Sequence, residues 1–147
     1  MAIKRVVNKE KAFSPIQKET PSVNDEELTS NFKVSFQYFD SSQKHASSFR
    51  DWQNDCLLSH ALDVLAGMCK KPLASQYDGD KFALYGDFPP KDKTKFEVPE
   101  HVPEDAHWAR IHVNGRSVIV GHVVRDTFYV VFLDKFHSFY LTKKARG

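Results

Sequence analysis

The stretch from His107 to Leu141 constrains the fold of this chain more than any other. It reads HWARIHVNGRSVIVGHVVRDTFYVVFLDKFHSFYL and holds three apolar runs rich in Val, Ile, Phe and Tyr, separated by short polar breaks. The dipeptide Asn114-Gly115 is a strong hairpin signal, because both central residues of a type I′ turn need a positive φ. Arg125-Asp126 and Lys135-Phe136 are weaker turn candidates. The stretch therefore predicts an antiparallel meander of three or four strands.

The predicted turns also predict which side chains face each other. Residues at equal distances from a two-residue loop lie opposite each other on the two strands. The pairs expected across the first loop are Val113 with Arg116, His112 with Ser117 and Ile111 with Val118. The pairs expected across the second loop are Val124 with Thr127, Ile119 with Phe132 and Ser117 with Asp134. A turn at Lys135-Phe136 would then set Asp134 beside His137.

Both faces of this predicted sheet are mostly apolar, so we expect it to be covered on both sides. One face would carry Ile111, Val118, Val120, Val124, Tyr129, Val131 and Leu133. The other would carry Ile119, Val123, Phe128, Val130 and Phe132. At one end of this second face a polar row collects His112, Ser117, Asp134 and His137, with Arg110 nearby. This row is the strongest candidate for a functional site.

The segments before the meander predict a strand and a helix. Phe32 to Phe39 alternates apolar and polar residues, which is typical of a half-buried strand. Ser47 or Ser48 can cap a helix, and Asp51 stands three residues after Ser48, in the capping-box position. Apolar residues then recur at three- and four-residue steps, which predicts an amphipathic helix from Ser48 to about Met68 or Lys71. We expect one or two helices in all to pack on the sheet.

Residues 1–31 and 87–104 differ in character from the rest of the chain. Residues 1–31 mix charges, hold few large apolar residues and are interrupted by Pro15 and Pro21. We expect a flexible N-terminal arm before a single α+β domain at 32–147; the alternative is an arm that orders on a partner. Phe82 to Tyr85 is a short strand candidate, and residues 87–104 form a Pro-rich loop with three lysines. Either the loop is simply solvated or its lysines contact phosphates.

Composition indicates one soluble domain. A length of 147 residues with 41% hydrophobic residues suffices for a core, and the net charge of +2 does not by itself imply nucleic-acid binding. Cys56 and Cys69 fall on different turns of the predicted helix, beyond disulfide reach, which favours a reducing compartment. No window approaches the roughly 18 apolar residues of a membrane span, and the N-terminus lacks the apolar region of a signal peptide. We therefore expect a cytoplasmic protein without a membrane partner.

Several kinds of chemistry lack their usual motifs. The seven histidines include no HExxH, and His107 and His122, which would face each other across the first hairpin, have no third metal ligand. No GxSxG, Walker or Rossmann pattern occurs. Ser117, His112 and Asp134 resemble a hydrolase triad in composition only. We therefore expect neither a metal nor another cofactor.

Metal-free RNA cleavage is better matched. It needs a base for the 2′-hydroxyl proton, an acid for the leaving 5′-oxygen and cations for the phosphate charge. His112 and His137 can share the acid and base roles, with Asp134 orienting one of them. The residues expected to bind RNA or its phosphates are Arg110, Arg116, Lys135, Tyr140, Lys143 and Lys144. The alternative is that Asp134 and His137 only close a hairpin while the lysines keep the edge soluble.

The order of elements, together with ARIHVNGRSVIVGHVV and FYVVFLDKFHSFYLTKK, resembles the RelE/ParE-like toxin superfamily, including its YafO-like branch. The resemblance covers about residues 32–144. It implies a small α+β protein that cuts messenger RNA, in many members on the ribosome, and that an antitoxin holds inactive. It also implies a site on the sheet face and the final strands. The N-terminal arm and the Pro-rich loop are additions to the family pattern.

Three hypotheses follow. The first is a toxin-like endoribonuclease with RNA, and an antitoxin or inhibitor protein, as partners. The second is a non-enzymatic protein-binding or inhibitor module of the phage or defence type, acting through the arm and the Pro-rich loop. The third is a plain RNA-binding domain, which predicts salt-sensitive RNA binding without cleavage.

Overall fold

The computed structural model of the chain describes residues 30–141. Within that range the strands are β1 Lys33–Ser35, β2 Phe82–Gly86, β3 Trp108–Asn114, β4 Ser117–Val124 and β5 Thr127–Asp134. The helices are α1 Phe49–Asn54 and α2 Leu58–Met68, with short 3-10 turns at Leu73–Ser75 and Lys91–Lys93. One sheet has the order β1-β5-β4-β3-β2, in which β1 is parallel to β5 and the other neighbours are antiparallel. The predicted α+β class and antiparallel meander are confirmed.

The first hairpin turns one residue later than predicted. Its loop is Gly115-Arg116, and of these only Gly115 has a positive φ, of 58°. Glycine at the first loop position is the pattern of a type II′ turn, not of type I′. A bulge at Val113 accompanies the shift and leaves Ile111 and Val113 buried in the same cluster. The observed pairs are Asn114 with Ser117, His112 with Val118 and Ile111 with Ile119, so the predicted pairs are wrong.

The second hairpin keeps the predicted Arg125-Asp126 loop, but its register shifts midway. One extra residue of β5, Val131, bulges opposite Gly121. A Cβ on Gly121 would lie 2.0 Å from the Tyr129 carbonyl oxygen, so only glycine permits this approach of the two backbones. The pair Val124 with Thr127 forms as predicted, whereas Ile119 pairs with Leu133 and Val118 with Asp134, in place of Ile119 with Phe132 and Ser117 with Asp134.

The two bulges redistribute residues between the faces. The first face packs under the helices and carries Ala109, Ile111, Ile119, Phe128, Val130 and Leu133. The second face carries Trp108, Val118, Val120, Val131 and Phe132. Two apolar faces were predicted correctly. Their membership was partly wrong, since Ile111 and Leu133 lie with Ile119 and not with Val118.

The helix predicted from Ser48 to about Met68 or Lys71 is broken into two, which agrees with the one or two helices expected for the fold. The capping box forms as predicted: Ser48 Oγ accepts a hydrogen bond from the Asp51 amide, and Asp51 accepts one from the Ser48 amide. The break lies at Cys56, whose φ is 62°. A left-handed residue cannot continue a right-handed helix, so α2 begins anew at Leu58. The helices bury Trp52, Ala61 and Leu65 against the first face, and both cysteines are free thiols.

The strands at the two edges are short. The strand predicted for Phe32 to Phe39 is only three residues long, because the chain turns at residues 37–38. The Lys33 ammonium group donates a hydrogen bond to the Asp126 carboxylate at 2.6 Å, which ties β1 to the second hairpin. At the opposite edge β2 confirms the predicted strand and extends it to Gly86.

The Pro-rich loop packs on the second face of the sheet. It buries Phe96 and Val102 there, and the centroids of the Phe96 and Phe132 rings lie 4.4 Å apart. An apolar sheet face needs such a cover, so this loop is part of the core. Almost all of the predicted arm lies outside the described residues, although Asn31 pairs with Pro72 in an isolated bridge. Neither helix within residues 30–141 has the length and apolar character needed to cross a bilayer.

Candidate functional site

The predicted polar row forms in part, with Val118 at the position that was expected for Ser117. The bulge at Val113 and the shift in the second hairpin put His112, Val118 and Asp134 in one cross-strand row. Val118 therefore separates the histidine from the carboxylate. Ser117 leaves the row, and its hydroxyl donates a hydrogen bond to the Lys135 carbonyl at 2.9 Å. The arrangement does not form the triad suggested by composition, and Ser117 acts to join the β3–β4 turn to the segment after β5.

Asp134 is the most deeply buried ionisable group at this end of the sheet. Its side chain is 0% exposed, and its two carboxylate oxygens accept hydrogen bonds from the amides of Ser138 and Phe139, each at 2.8 Å. Burial raises the pKa of the Asp134 carboxyl, while these amides and the nearby His137 oppose the rise. The carboxylate thus folds residues 135–139 back over the end of β5. Asp134 and His137 are close, as predicted.

His137 occupies an unusual backbone conformation. Its φ is 62°, in the left-handed region that non-glycine residues seldom adopt. Such conformations cost about 1–3 kcal/mol and persist only where the surrounding structure fixes them. Here the fixing contacts are the two hydrogen bonds from the following amides to Asp134. These contacts fix the backbone of the half-buried His137 next to the Asp134 carboxylate.

Next to His137 lies an exposed aromatic ring with two cations over it. The Phe136 side chain is 57% exposed. The guanidinium carbon of Arg116 lies 5.4 Å from its ring centroid, and the ammonium nitrogen of Lys135 lies 5.2 Å from it. Lys135 also forms an ion pair with Asp55 at 3.1 Å. We call Arg116, Lys135 and Phe136 the basic platform; it brings together two predicted phosphate-binding residues.

Arg110 and Tyr140, two further predicted site residues, are linked by a residue that we did not predict, Tyr85. The Tyr85 and Tyr140 rings stack at 5.1 Å. Burial raises the pKa of the Tyr85 hydroxyl, with Arg110 opposing the rise and Asp134 adding to it. The Arg110 guanidinium also donates to the Asp80 carbonyl at 2.7 Å. Ala83 of β2 pairs with Arg110 of β3. Because side chains alternate along a strand, Tyr85 lies on the same face as Ala83. This alternation was the signal that could have identified Tyr85 from the sequence.

The histidine pair considered for zinc does not form. Trp108, not His107, pairs with His122, and the buried His122 ring lies among the rings of Tyr38, Trp108 and Tyr129. Across residues 30–141 no three His, Cys, Asp or Glu side chains are grouped so as to hold a metal ion.

The site therefore has three parts: the basic platform, the Asp134 turn with His137, and His112 across Val118. Lys143 and Lys144 lie outside the described residues. Comparison of the chain with protein-family models, curated proteins and solved structures finds no match in any of the three.

Proposed function

We propose that this protein binds single-stranded RNA at the basic platform and cleaves it without a metal ion, as a toxin-like endoribonuclease of the cytoplasm. The observation that carries the proposal is Phe136, an exposed ring with Arg116 and Lys135 within 5.4 Å of its centroid. Single-stranded nucleic acids bind to this combination, because a base stacks on the ring while cations neutralise the backbone.

The cleavage chemistry is assigned to the two histidines. His137 follows the platform directly in the chain, and His112 lies in the row that ends at Asp134. Imidazole can give or take a proton near neutral pH, so the pair can serve as acid and base in 2′-hydroxyl attack on the phosphate. Arg116 and Lys135 would stabilise the charge that develops there. Asp134 is a positioning residue, because it holds the turn that carries His137.

The element order supports this proposal over an inhibitor module. A strand, two helices, the short strand β2 and a meander follow one another. The toxin resemblance rests on a strand, a helical segment and a meander in that order. The Pro-rich loop, one of the two surfaces of the inhibitor hypothesis, buries Phe96 and Val102 in the core, which reduces what it can offer a partner. Action on the ribosome and control by an antitoxin are implied by the resemblance and stay predictions.

The proposal is tested with purified protein and a fluorescent single-stranded RNA in the presence of EDTA. We expect the wild type to cleave, and His137→Asn to cleave at least about 100-fold more slowly while still binding, since a positioned acid or base contributes about 10²–10⁴. Asparagine is chosen because it tolerates the left-handed backbone at this position. Phe136→Ala should weaken binding about tenfold, the loss of one stacked base.

The matched control is His45→Asn, which removes an exposed histidine outside the site. Equal cleavage by His137→Asn and the wild type would refute the catalytic assignment. Binding that Phe136→Ala weakens, without cleavage by any variant, would leave a plain RNA-binding domain. No RNA binding at low salt would end the proposal. In cells, mapping of RNA 5′ ends after brief induction should show new ends with the wild type and not with His137→Asn.

A further inference from the structure

A groove of about 340 Å³ lies between α2 and the edge of the sheet where β2 pairs with β3. Its apolar lining consists of Val64, Met68, Phe82, Ile111 and Val113. One water molecule takes up about 30 Å³ in the liquid, so the groove has room for much more than a single water. Contact between water and apolar side chains is unfavourable, so an apolar group that fills the groove is favoured over water.

The polar lining of the groove does not call for a charged ligand. Gln76 is engaged by the fold, because its side-chain nitrogen donates to three backbone carbonyls. Burial raises the pKa of the Asp78 carboxyl, but hydrogen bonds from three backbone amides lower it by more, so Asp78 is ionised at neutral pH. Lys81, of opposite charge, lies in the same lining. These two charges oppose each other, so an uncharged apolar occupant fits better than a phosphate or a carboxylate.

The described part of the chain begins beside this groove. Asn31 pairs with Pro72 in an isolated bridge. The side-chain nitrogen of Gln76 lies 3.1 Å from the Pro72 carbonyl oxygen and 2.9 Å from the Met68 carbonyl oxygen, which holds these two residues close together. Met68 lines the groove, so the chain enters the domain next to it.

The segment that precedes this entry point is within reach of the groove. The centroids of the Phe32 and Phe82 rings lie 6.0 Å apart, and Phe82 also lines the groove. Residues 1–29 lie outside the described range; the last eight of them read SVNDEELT, in which Leu28 is the apolar residue nearest to the domain. Leu28 stands three residues before Asn31, and three residues of extended chain span about 10 Å. Its covalent attachment gives it an effective concentration on the order of millimolar at the groove.

We propose that the groove is filled by residues 22–29 of the same chain, with the Leu28 side chain against Met68. The apolar lining belongs to the core cluster under the helices, so the docked leucine extends that cluster. The N-terminal arm is then anchored to the domain at its C-terminal end. The inference involves neither the basic platform nor RNA, so it is independent of the proposed function.

The test uses the full-length protein with Leu28→Ser, which changes none of the described residues. The chain has two methionines, Met1 and Met68, and Met68 lines the groove, so ¹³C labels at the methionine methyl groups report on the site. We expect Leu28→Ser to shift the Met68 methyl signal. Hydrogen peroxide should also oxidise Met68 several-fold faster in this variant, because the thioether is no longer covered. Ile16→Ser, a similar change farther along the arm, should leave both readouts at their wild-type values.

A variant of the groove gives the reciprocal test. Val64→Lys places a charge in the apolar lining and leaves the arm sequence unchanged. A glutamate-specific protease should then cut after Glu26 and Glu27 faster than in the wild type, since cleavage follows the population of undocked arm. Leu62→Lys, the same kind of change at an exposed position of α2, is the matched control and should be cut like the wild type. Urea unfolding of both variants checks that the domain is folded.

Three results would overturn the inference. The first is a Met68 signal and oxidation rate that Leu28→Ser leaves unchanged or that Ile16→Ser changes equally. The second is equal cleavage of Val64→Lys and Leu62→Lys. The third is protection of Met68 that weakens on dilution of the protein, which would assign the groove to the arm of a second copy instead of the same chain.

Discussion

Replacement of Asp134 tests whether its carboxylate builds the turn that carries the site. The two carboxylate oxygens accept the amides of Ser138 and Phe139 in a buried environment. A buried donor left without a partner costs about 1–3 kcal/mol. Asp134→Ala leaves both amides without an acceptor and should lower the free energy of unfolding by about 2–6 kcal/mol. Part of this loss is offset, because the variant no longer buries a carboxylate. Asp134→Asn keeps one acceptor and should cost about 1–3 kcal/mol.

The measurement is urea unfolding followed by the fluorescence of the buried Trp52 and Trp108. With a urea slope of about 1–3 kcal/mol/M, Asp134→Ala should move the midpoint by about 1 M or more at unchanged slope. A loss below about 0.5 kcal/mol for Asp134→Ala would show that the turn does not depend on the carboxylate. That result would also remove the reason given for the left-handed conformation of His137.

The pH dependence of the same variants tests the sign of the Asp134 effect. Burial raises the pKa of this carboxyl above its ordinary value of 3.8. The folded state then binds the proton more tightly than the unfolded state does. Protonation of Asp134 therefore stabilises the fold below pH 3.8, and this stabilisation is lost as pH rises through the folded pKa. The stability lost in Asp134→Asn should therefore be smaller at pH 7 than near pH 3.5. A larger loss at pH 7 would mean that the two amides outweigh burial and lower the pKa.

Three further predictions concern the fold. Gly121→Ala should cost more than about 3 kcal/mol in urea unfolding, because its Cβ would lie 2.0 Å from the Tyr129 carbonyl oxygen and backbone cannot yield as a side chain can; a loss under about 1 kcal/mol would contradict the bulge. The Lys33 hydrogen bond lowers the pKa of Asp126, so the ionised carboxylate stabilises the folded state above pH 3.8, and this stabilisation is lost as pH falls through the folded pKa. Between pH 5 and pH 3, Asp126→Asn should therefore lose less stability than the wild type, the difference being under about 1 kcal/mol. Cys56→Gly should raise the thermal unfolding midpoint by a few degrees, because glycine adopts the φ of 62° at this position without strain and the Cys56 side chain is exposed. A lower midpoint would show that contacts of the Cys56 side chain stabilise the fold.

The sequence predicted the elements well and the registers poorly. Alternation and capping signals are local, so the meander, the second hairpin loop and the Ser48 cap were all found. A register depends on bulges, and each bulge sends the following residues to the opposite face. Gly121, a glycine inside an apolar strand, was an available signal for the second bulge. The break at Cys56 had none, because cysteine does not favour a left-handed backbone.

The site was predicted in location rather than in geometry. Arg116, Asp134, Lys135 and His137 do share one end of the sheet. Strand pairing alone cannot foresee that the Asp134 carboxylate captures amides four and five residues later, because that contact depends on burial by Phe139 and the loop. The same capture exposes Phe136. The exposed position of the Phe136 ring thus depends on a tertiary contact, and the alternation of residues along β5 does not predict it.

The ion pair between Lys135 and Asp55 gives the proposed RNA surface a built-in competitor. The Lys135 ammonium nitrogen lies 3.1 Å from a carboxylate oxygen of Asp55, and both side chains are partly exposed. The ion pair therefore contributes about 0.2–1 kcal/mol to the free energy of unfolding. An RNA phosphate must displace this carboxylate before it can use the Lys135 charge. Asp55→Asn should therefore tighten RNA binding up to about fivefold at low salt, the same energy expressed as an affinity. Asp63→Asn, the same charge change at an exposed position of α2, serves as the control for net charge. Fluorescence anisotropy with a short single-stranded RNA measures both, and equal effects of the two variants would mean that Lys135 does not contact the RNA.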